Sequence, residues 1–266
     1  RSAAAGRARY DDARRAAEPL RERLTSLAPP RPRREPAGHV VTVTRLADAP
    51  VARVRGLVAR YGDLTALRGI DLAVSPGEVV ALMGRNGAGK STLLAHLVGL
   101  FAPAGGSVEV AGYEPHRRSA SDLIRDVGLV PQEPADLFCA DTIDDELAHG
   151  SHTGSGRALL DRLAPGIDGQ GHPRDLSEGQ RLALALAFVL AAQPPLLLLD
   201  EPTRGLDYPA KERLVGVLRE RAAAGTAVVI ATHDVELAAE VASRTVVLAD
   251  GEIVADGPTN DVVTAS

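Results

Sequence analysis

The chain has 266 residues, 45% of them hydrophobic, enough for one large domain or two small ones. With four Tyr, three Phe and no Trp, any core must be built from Leu, Val and Ala, and the single Cys139 excludes an intramolecular disulfide and fits a reducing compartment. The net charge of −5 conceals an asymmetry: residues 1–55 carry 13 Arg against six acids, so the remainder is strongly acidic.

The first 28 residues read as one helix interrupted at Pro19, and Ala28–Pro36 as an extended Arg/Pro-rich linker. Interspersed Ala and Pro favour a solvated linker over an arm that touches nucleic acid or anionic lipid, so residues 1–52 are expected to form a tether and 53–266 the domain. The chain starts at Arg1 and its one Met is Met83, which predicts an excised piece or a processed product. No secretory signal is visible, and the long apolar tract from Leu182 to Leu199 is broken by Gln193-Pro194-Pro195, giving helix, turn and strand instead of a membrane span.

Strand-type alternation begins at Val54–Tyr61 and Leu67–Val74, and Ser75-Pro-Gly-Glu78 turns into the apolar strand Val79–Met83. Next comes Gly84-Arg-Asn86-Gly87-Ala-Gly89-Lys90-Ser91-Thr92, which fits G-x-x-x-x-G-K-[ST], the phosphate-binding loop. Its glycines let several backbone N–H groups point at one polyphosphate, and a helix starting at Lys90 adds its positive end. Lys90 is placed to reach the β- and γ-phosphates of a nucleotide, and the Ser91 hydroxyl to ligate Mg²⁺; the loop alone leaves kinases, GTPases, helicases and transport ATPases open. Lysine occurs only at 90 and 211 in a chain that otherwise uses Arg, which fits a site needing a compact ammonium.

Further along, a strand is expected over Ser107–Ala111, a helix over Leu123–Asp126 and a strand over Val127–Val130. Residues 134–193 lack strand patterning and read as a helical insertion, with helices from Thr142, over Gly156–Leu163 and over Glu178–Ala192. Leu196–Leu199 is a fully apolar run, as in a strand buried on both faces of a parallel sheet. Helix 209–221, strand 226–231, helix 235–241 and strand 245–248 complete an α/β alternation, and Asp250-Gly251 is a hairpin turn into Glu252–Val254. The fold class is therefore α/β: a P-loop NTPase (RecA-like) core with a mostly parallel sheet, an N-terminal antiparallel β part and an inserted α-helical subdomain.

The strand Leu196–Leu199 ends in an acidic pair. Asp200 is placed to hold Mg²⁺, and Glu201 to act as general base for water attacking the γ-phosphate. His149, His152 and His172 lack the Cys or carboxylate partners that would complete a metal site. The Arg-rich segments lack interleaved aromatics, which argues against a single-strand nucleic-acid platform.

Leu176-Ser177-Glu178-Gly179-Gln180 resembles the signature motif LSGGQ of ATP-binding-cassette (ABC) ATPases and stands at the start of an apolar helix, ahead of the acidic pair. The resemblance covers about residues 54–264 and implies roles for other positions. Tyr61 resembles the aromatic residue that stacks on adenine. Gln132 resembles the Q-loop glutamine, which senses Mg²⁺ and links nucleotide to the helical subdomain. Gly205-Leu-Asp207 resembles the D-loop and His233 the switch histidine contacting γ-phosphate. Ser177, Gly179 and Gln180 would meet the phosphate from a second subunit, so ATP would join two ABC ATPase domains, either two copies or this one and the first cassette of a tandem chain.

One departure stands out. Glu178 occupies a position that is Gly in the motif, and it is expected to point outward from the helix start towards solvent. The short helical insertion and the chain's ending look most like ATPase subunits of bacterial importers of the energy-coupling-factor (ECF), cobalt-type group. That resemblance implies a peripheral position on the cytoplasmic face of the membrane and a membrane-spanning partner received by Glu133–His149. The alternatives are a soluble ABC switch acting on ribosomes or DNA, and a P-loop kinase.

Overall fold

The computed structural model describes residues 49–150 and 155–264. The helix and linker expected over residues 1–36, and His152, lie outside the described residues.

Apolar segments form the β-strands. β1 (Ala52–Tyr61), β2 (Leu64–Val74) and β4 (Gly105–Val110) make an antiparallel sheet in the order β2-β1-β4. A second, six-stranded sheet has the order β5-β6-β7-β3-β8-β9, from β3 (Val79–Met83), β5 (Val127–Val130), β6 (Leu196–Asp200), β7 (Ala227–Ala231), β8 (Arg244–Ala249) and β9 (Glu252–Pro258). All its pairings are parallel except β8–β9. That hairpin turns on Asp250 and Gly251, both with positive φ, as a tight two-residue turn requires. Burial alternates along β1 and β9 and is continuous along β3, β6 and β7.

The helices are α1 (Lys90–Leu97), α2 (Ala120–Asp126), α3 (Ile143–Gly150), α4 (Ser155–Leu163), α5 (Glu178–Ala191), α6 (Tyr208–Ala223), α7 (Val235–Val241) and α8 (Thr259–Thr264). Between β5 and β6 the described residues are helix, short 3₁₀ turn or loop.

The large sheet separates two cores. On one face Val79, Leu197, Leu199, Val228 and Ile230 pack with the apolar sides of α3 to α7. On the other, Val80, Leu82, Leu196, Leu198, Val229 and Ala231 pack with α1 and the small sheet. Alternate residues of one strand thus serve opposite layers, and Leu196–Leu199 are wholly buried. Burial at about 25 cal/mol per Å² of apolar surface makes these central strands the rigid frame from which the site loops project.

The strand expected over Ser107–Ala111 instead runs Gly105–Val110. Gly105 pairs with Val58, and Ala111 turns out of the sheet at φ 51°. The terminal helix α8 and the 3₁₀ turns at Pro115–Arg117, Pro134–Leu137 and Pro173–Asp175 add to the expected elements. Each 3₁₀ turn starts with proline, whose fixed φ suits a first turn.

Candidate nucleotide site

The C-terminal ends of β3, β6 and β7 lie side by side, so the loops leaving them meet at one edge of the sheet. The β3 loop, Gly84–Gly89, turns through three glycines with positive φ. A Cβ at Gly84 would strike the carbonyl of Leu248, and at Gly89 a side chain would be strained by φ 110° and lie 3.1 Å from the Ala66 carbonyl. Asn86 and Gly87 form the exposed tip of this loop.

α1 then starts at Lys90. Its N-cap is Gly89 with no side-chain cap and no acid in the first turn. In contrast, α2, α5, α6 and α7 are capped by Ser119, Ser177, Asp207 and Asp234. The α1 N-terminus therefore keeps its positive end and lacks a side-chain partner for its free N–H groups.

Lys90 is buried, donates to the Gly84 carbonyl at 2.8 Å, and lies 3.8 Å from Glu201 Oε1. The Ser91 hydroxyl bonds Asp200, whose carboxyl is pushed above the ordinary carboxylate range by burial; the Ser91 bond and Lys90 offset this, and Glu201 adds to it. A hydroxyl beside a carboxylate is a pair of hard oxygen donors, the type that holds Mg²⁺ together with phosphate oxygens. The residues present therefore fit a Mg²⁺–nucleotide.

Glu201 sits at φ 51°, where a side chain is strained, and its N–H bonds the Ala231 carbonyl at 2.8 Å. Its Oε2 accepts from His233 Nδ1 at 2.7 Å. A carboxylate only accepts, so Nδ1 carries the proton. The His233 ring is otherwise exposed, with 78% of its side chain in solvent. Gln132 lines the same cleft as Asp200, Glu201, Glu178 and Arg204.

Tyr61 ends β1, stands edge-on to Phe101 with centroids 5.6 Å apart, and shares a hydrogen bond with the Thr92 side chain; burial raises its hydroxyl pKa. The structure thus brings the β1 end, the start of α1 and the acidic pair together.

Ser177, Gly179, Gln180 and Asp207 occupy a different place. Ser177 Oγ accepts the Gln180 N–H at 3.3 Å and Gln180 Oε1 accepts the Ser177 N–H at 2.9 Å, a reciprocal capping box. Asp207 accepts from Ala210 N–H as the cap of α6. A Cβ at Gly179 would lie 3.1 Å from Leu206, so the signature is packed beside Gly205–Asp207 of the same chain. Among the described residues no hydrogen bond or ion pair joins Ser177 or Gly179 to Lys90 or Ser91.

Glu178 is exposed, as expected, and its carboxylate in addition pairs with Arg204 Nε, 3.2 Å away, over Gly205. The opposite charge and the missing Cβ at 205 give it a nearer partner than water.

Sequence reasoning missed a second group of residues. Lys211 bonds Asp234 at 2.8 Å, next to His233. Burial alone would lift the Asp234 carboxyl, but bonds from Lys211, the Leu237 N–H and Thr203 outweigh it and hold it low. The scarcity of lysine was the available signal for Lys211; nothing local marked Thr203, Phe101 or Arg204.

The ABC transporter family model matches residues 67–204. The chain belongs to that family. It is 57% identical over 277 aligned positions to an ABC transporter ATP-binding protein of Streptomyces avermitilis, covering 96% of this chain and 49% of the relative. An ABC transporter ATP-binding protein of Geobacter sulfurreducens is 39% identical over 80% of this chain and 88% of its own length. Among solved structures, CbiO1 of Clostridium perfringens, part of the ABC transporter complex CbiONQ, superposes with TM-score 0.72 at 27% identity over 82% of this chain and 92% of that one. A bacterial Atm1-family ABC exporter with ATP bound gives TM-score 0.71 at 26% identity, over 83% of this chain and 41% of the exporter. The chain spans about half, or less, of the first two relatives, 49% and 39% of their lengths. As an ABC domain it belongs to a family of ATP-hydrolysing enzymes, and the expected α/β P-loop fold with its mostly parallel sheet and antiparallel β part is the one observed.

Proposed function

We propose that the chain is the ATP-hydrolysing motor domain of an ECF, cobalt-type membrane importer, working as an ATP-closed pair of ABC domains. The observation that carries the chemical part is Glu201, held between Lys90 and the proton-bearing Nδ1 of His233 at the mouth of an uncapped, glycine-led helix. The likeness to CbiO1 supports the importer type. Relatives of about twice this length support a tandem arrangement in which a first cassette is the second domain.

In this reading the N–H groups of Gly87, Gly89 and Lys90 with Lys90 Nζ bind the phosphates, and Tyr61 stacks on adenine. Ser91 and Asp200 would hold Mg²⁺ with Gln132 as its sensor, and the ion when bound would supply charge neutralisation for the transferred phosphoryl group. Binding phosphate draws Lys90 from Glu201 and frees Oε1. Glu201 then takes a proton from water as its oxygen attacks the γ-phosphorus and ADP leaves. His233 contacts the γ-phosphate. Ser177 and Gly179 complete the phosphate shell of a second domain, since within one chain they face the Gly205–Asp207 turn. The Glu133–His149 segment docks the membrane-spanning subunit on the cytoplasmic face. Among the described residues no helix is long and apolar enough to cross a membrane.

The test is the solution mass of Glu201→Gln by light scattering, with and without Mg²⁺-ATP. The expected outcome is retained ATP binding, turnover lowered by about 10³-fold, and an ATP-dependent shift to a dimer. Near-normal turnover would show that the base lies elsewhere.

A further inference from the structure

Arg204 follows the acidic pair by three residues and lies on the turn closed by its own N–H to the Glu201 carbonyl, at 3.4 Å. Its guanidinium reaches two other segments of the site. Nη1 donates to Glu133 Oε1 at 2.8 Å, next to Gln132, and Nε lies 3.2 Å from Glu178 Oε1, between Ser177 and Gly179. The Glu178 carboxylate rests on Gly205, where a Cβ would lie 2.6 Å from Oε2. Among the residues lining this cleft, which include Glu178, Asp200 and Glu201, Arg204 is the one cation.

All three charged side chains are about half exposed, so the two ion pairs add little to fold stability. Their geometry has a different consequence. A rigid guanidinium fork offers two donors in fixed directions, so it can fix two carboxylates relative to one another as an ammonium cannot. The segments it ties are the one after β5, the start of α5 and the turn after β6.

We infer that Arg204 is a positioning residue of the ATPase: it withholds the Glu178 charge from the phosphates and sets the start of α5 against the Gln132 segment. This rests on the two-domain reading above, because only there does the α5 start approach a nucleotide. A Glu in the signature is then tolerated because an Arg at 204 and a Gly at 205 receive it. Released from Arg204, Glu178 would present a negative charge to a polyphosphate held by the facing domain, which disfavours closure.

The test is a cycle of Arg204→Ser, Glu178→Gly and the double variant, made in the full chain. The readouts are ATP affinity, steady-state ATPase activity, and hydrogen exchange of the segment 174–184. ATP affinity of the open form should be unchanged throughout, because Arg204 does not touch the phosphate loop. Arg204→Ser should lower kcat about tenfold at unchanged KM. Glu178→Gly should stay within about twofold of the parent, and the double variant should recover to the same level. Arg204→Lys, keeping charge without the fork, should fall between.

Exchange at the start of α5 should rise in Arg204→Ser and stay raised in the double variant, because both lack the Arg204–Glu178 pair. A double variant as slow as Arg204→Ser overturns the inference. So does exchange that ignores the loss of Arg204, and this second readout holds even if the parent chain hydrolyses no ATP, a result that would count against the ATPase reading instead.

Discussion

The start of α1 and the start of α5 are both helix N-termini that the sequence marks with glycine and a polar residue, yet they are built in opposite ways. α1 begins at the edge of the central sheet, has Gly89 as its cap, carries no side-chain cap bond, and buries Lys90 beside it. α5 begins near the surface and closes on itself through the Ser177–Gln180 capping box, with Glu178 clasped by Arg204. One end is held open by Gly84 and Gly89, which take positive φ without strain, and beside it Glu201 takes positive φ with a side chain in place. The other is satisfied at once by its neighbours. A helix end whose donors are left free inside a rigid frame is suited to hold an anion permanently, whereas one that caps itself can engage a ligand when another surface brings it.

The largest effect should come from breaking the open end. Lys90→Ala removes the cation proposed to bind phosphate and leaves Glu201 without its buried partner, so ATP affinity should fall about 100-fold, measured by equilibrium titration with a fluorescent analogue. Lys90→Arg should also fail to restore affinity, because a planar guanidinium does not fit beside the Gly84 carbonyl as a compact ammonium does. Wild-type affinity in Lys90→Ala would remove the phosphate-loop reading altogether.

At the self-capped end the expected loss is smaller and of another kind. Ser177→Ala deletes one half of the capping box, which costs about 1 kcal/mol and lowers Tm by about 2–4 °C in a domain of this size. Nucleotide affinity of the open form should be untouched. A loss of ATP affinity equal to that of Lys90→Ala would erase the distinction between the two ends.

The contrast also separates what the sequence made legible from what it did not. Strand periodicity and turn residues placed β3, β6 and β7 within a residue or so, because burial on both faces leaves few alternatives to a continuous apolar run. The glycine turn ahead of α1 was legible because its signal is local: the glycines, Lys90 and Ser91 are neighbours in the chain. The ion-pair partner of Glu178 was not, since Arg204 lies 26 positions away and the contact needs the absent Cβ of Gly205. The same holds for Lys211 on Asp234 and for Thr92 on Tyr61, contacts that exist only once distant strands have set the loops side by side. The left-handed turn at Glu201 had no signature either, because Glu is not a residue that favours that conformation.

The smallest effect expected is one on stability at Asp200, and it tests whether the open end is tuned for a ligand. Burial raises the Asp200 carboxyl pKa; the Ser91 hydrogen bond and Lys90 only partly oppose it, while Glu201 adds to it. A folded state that holds this proton more tightly than the unfolded chain is disfavoured as the group ionises. The penalty is absent below the unfolded carboxylate pKa of about 3.9 and grows as pH climbs through the raised folded value. Asp200→Asn keeps an acceptor for Ser91 without the charge, so its Tm should exceed that of the parent at neutral pH, with the gap narrowing as pH falls towards the carboxylate range. Mg²⁺-ATP should reverse the order, because only the parent offers the carboxylate and gains RT ln(1 + [L]/Kd) from the ligand. Thermal melts between pH 5 and 8, with and without Mg²⁺-ATP, measure both effects. Equal Tm at every pH would mean that the buried carboxylate is already compensated without a ligand.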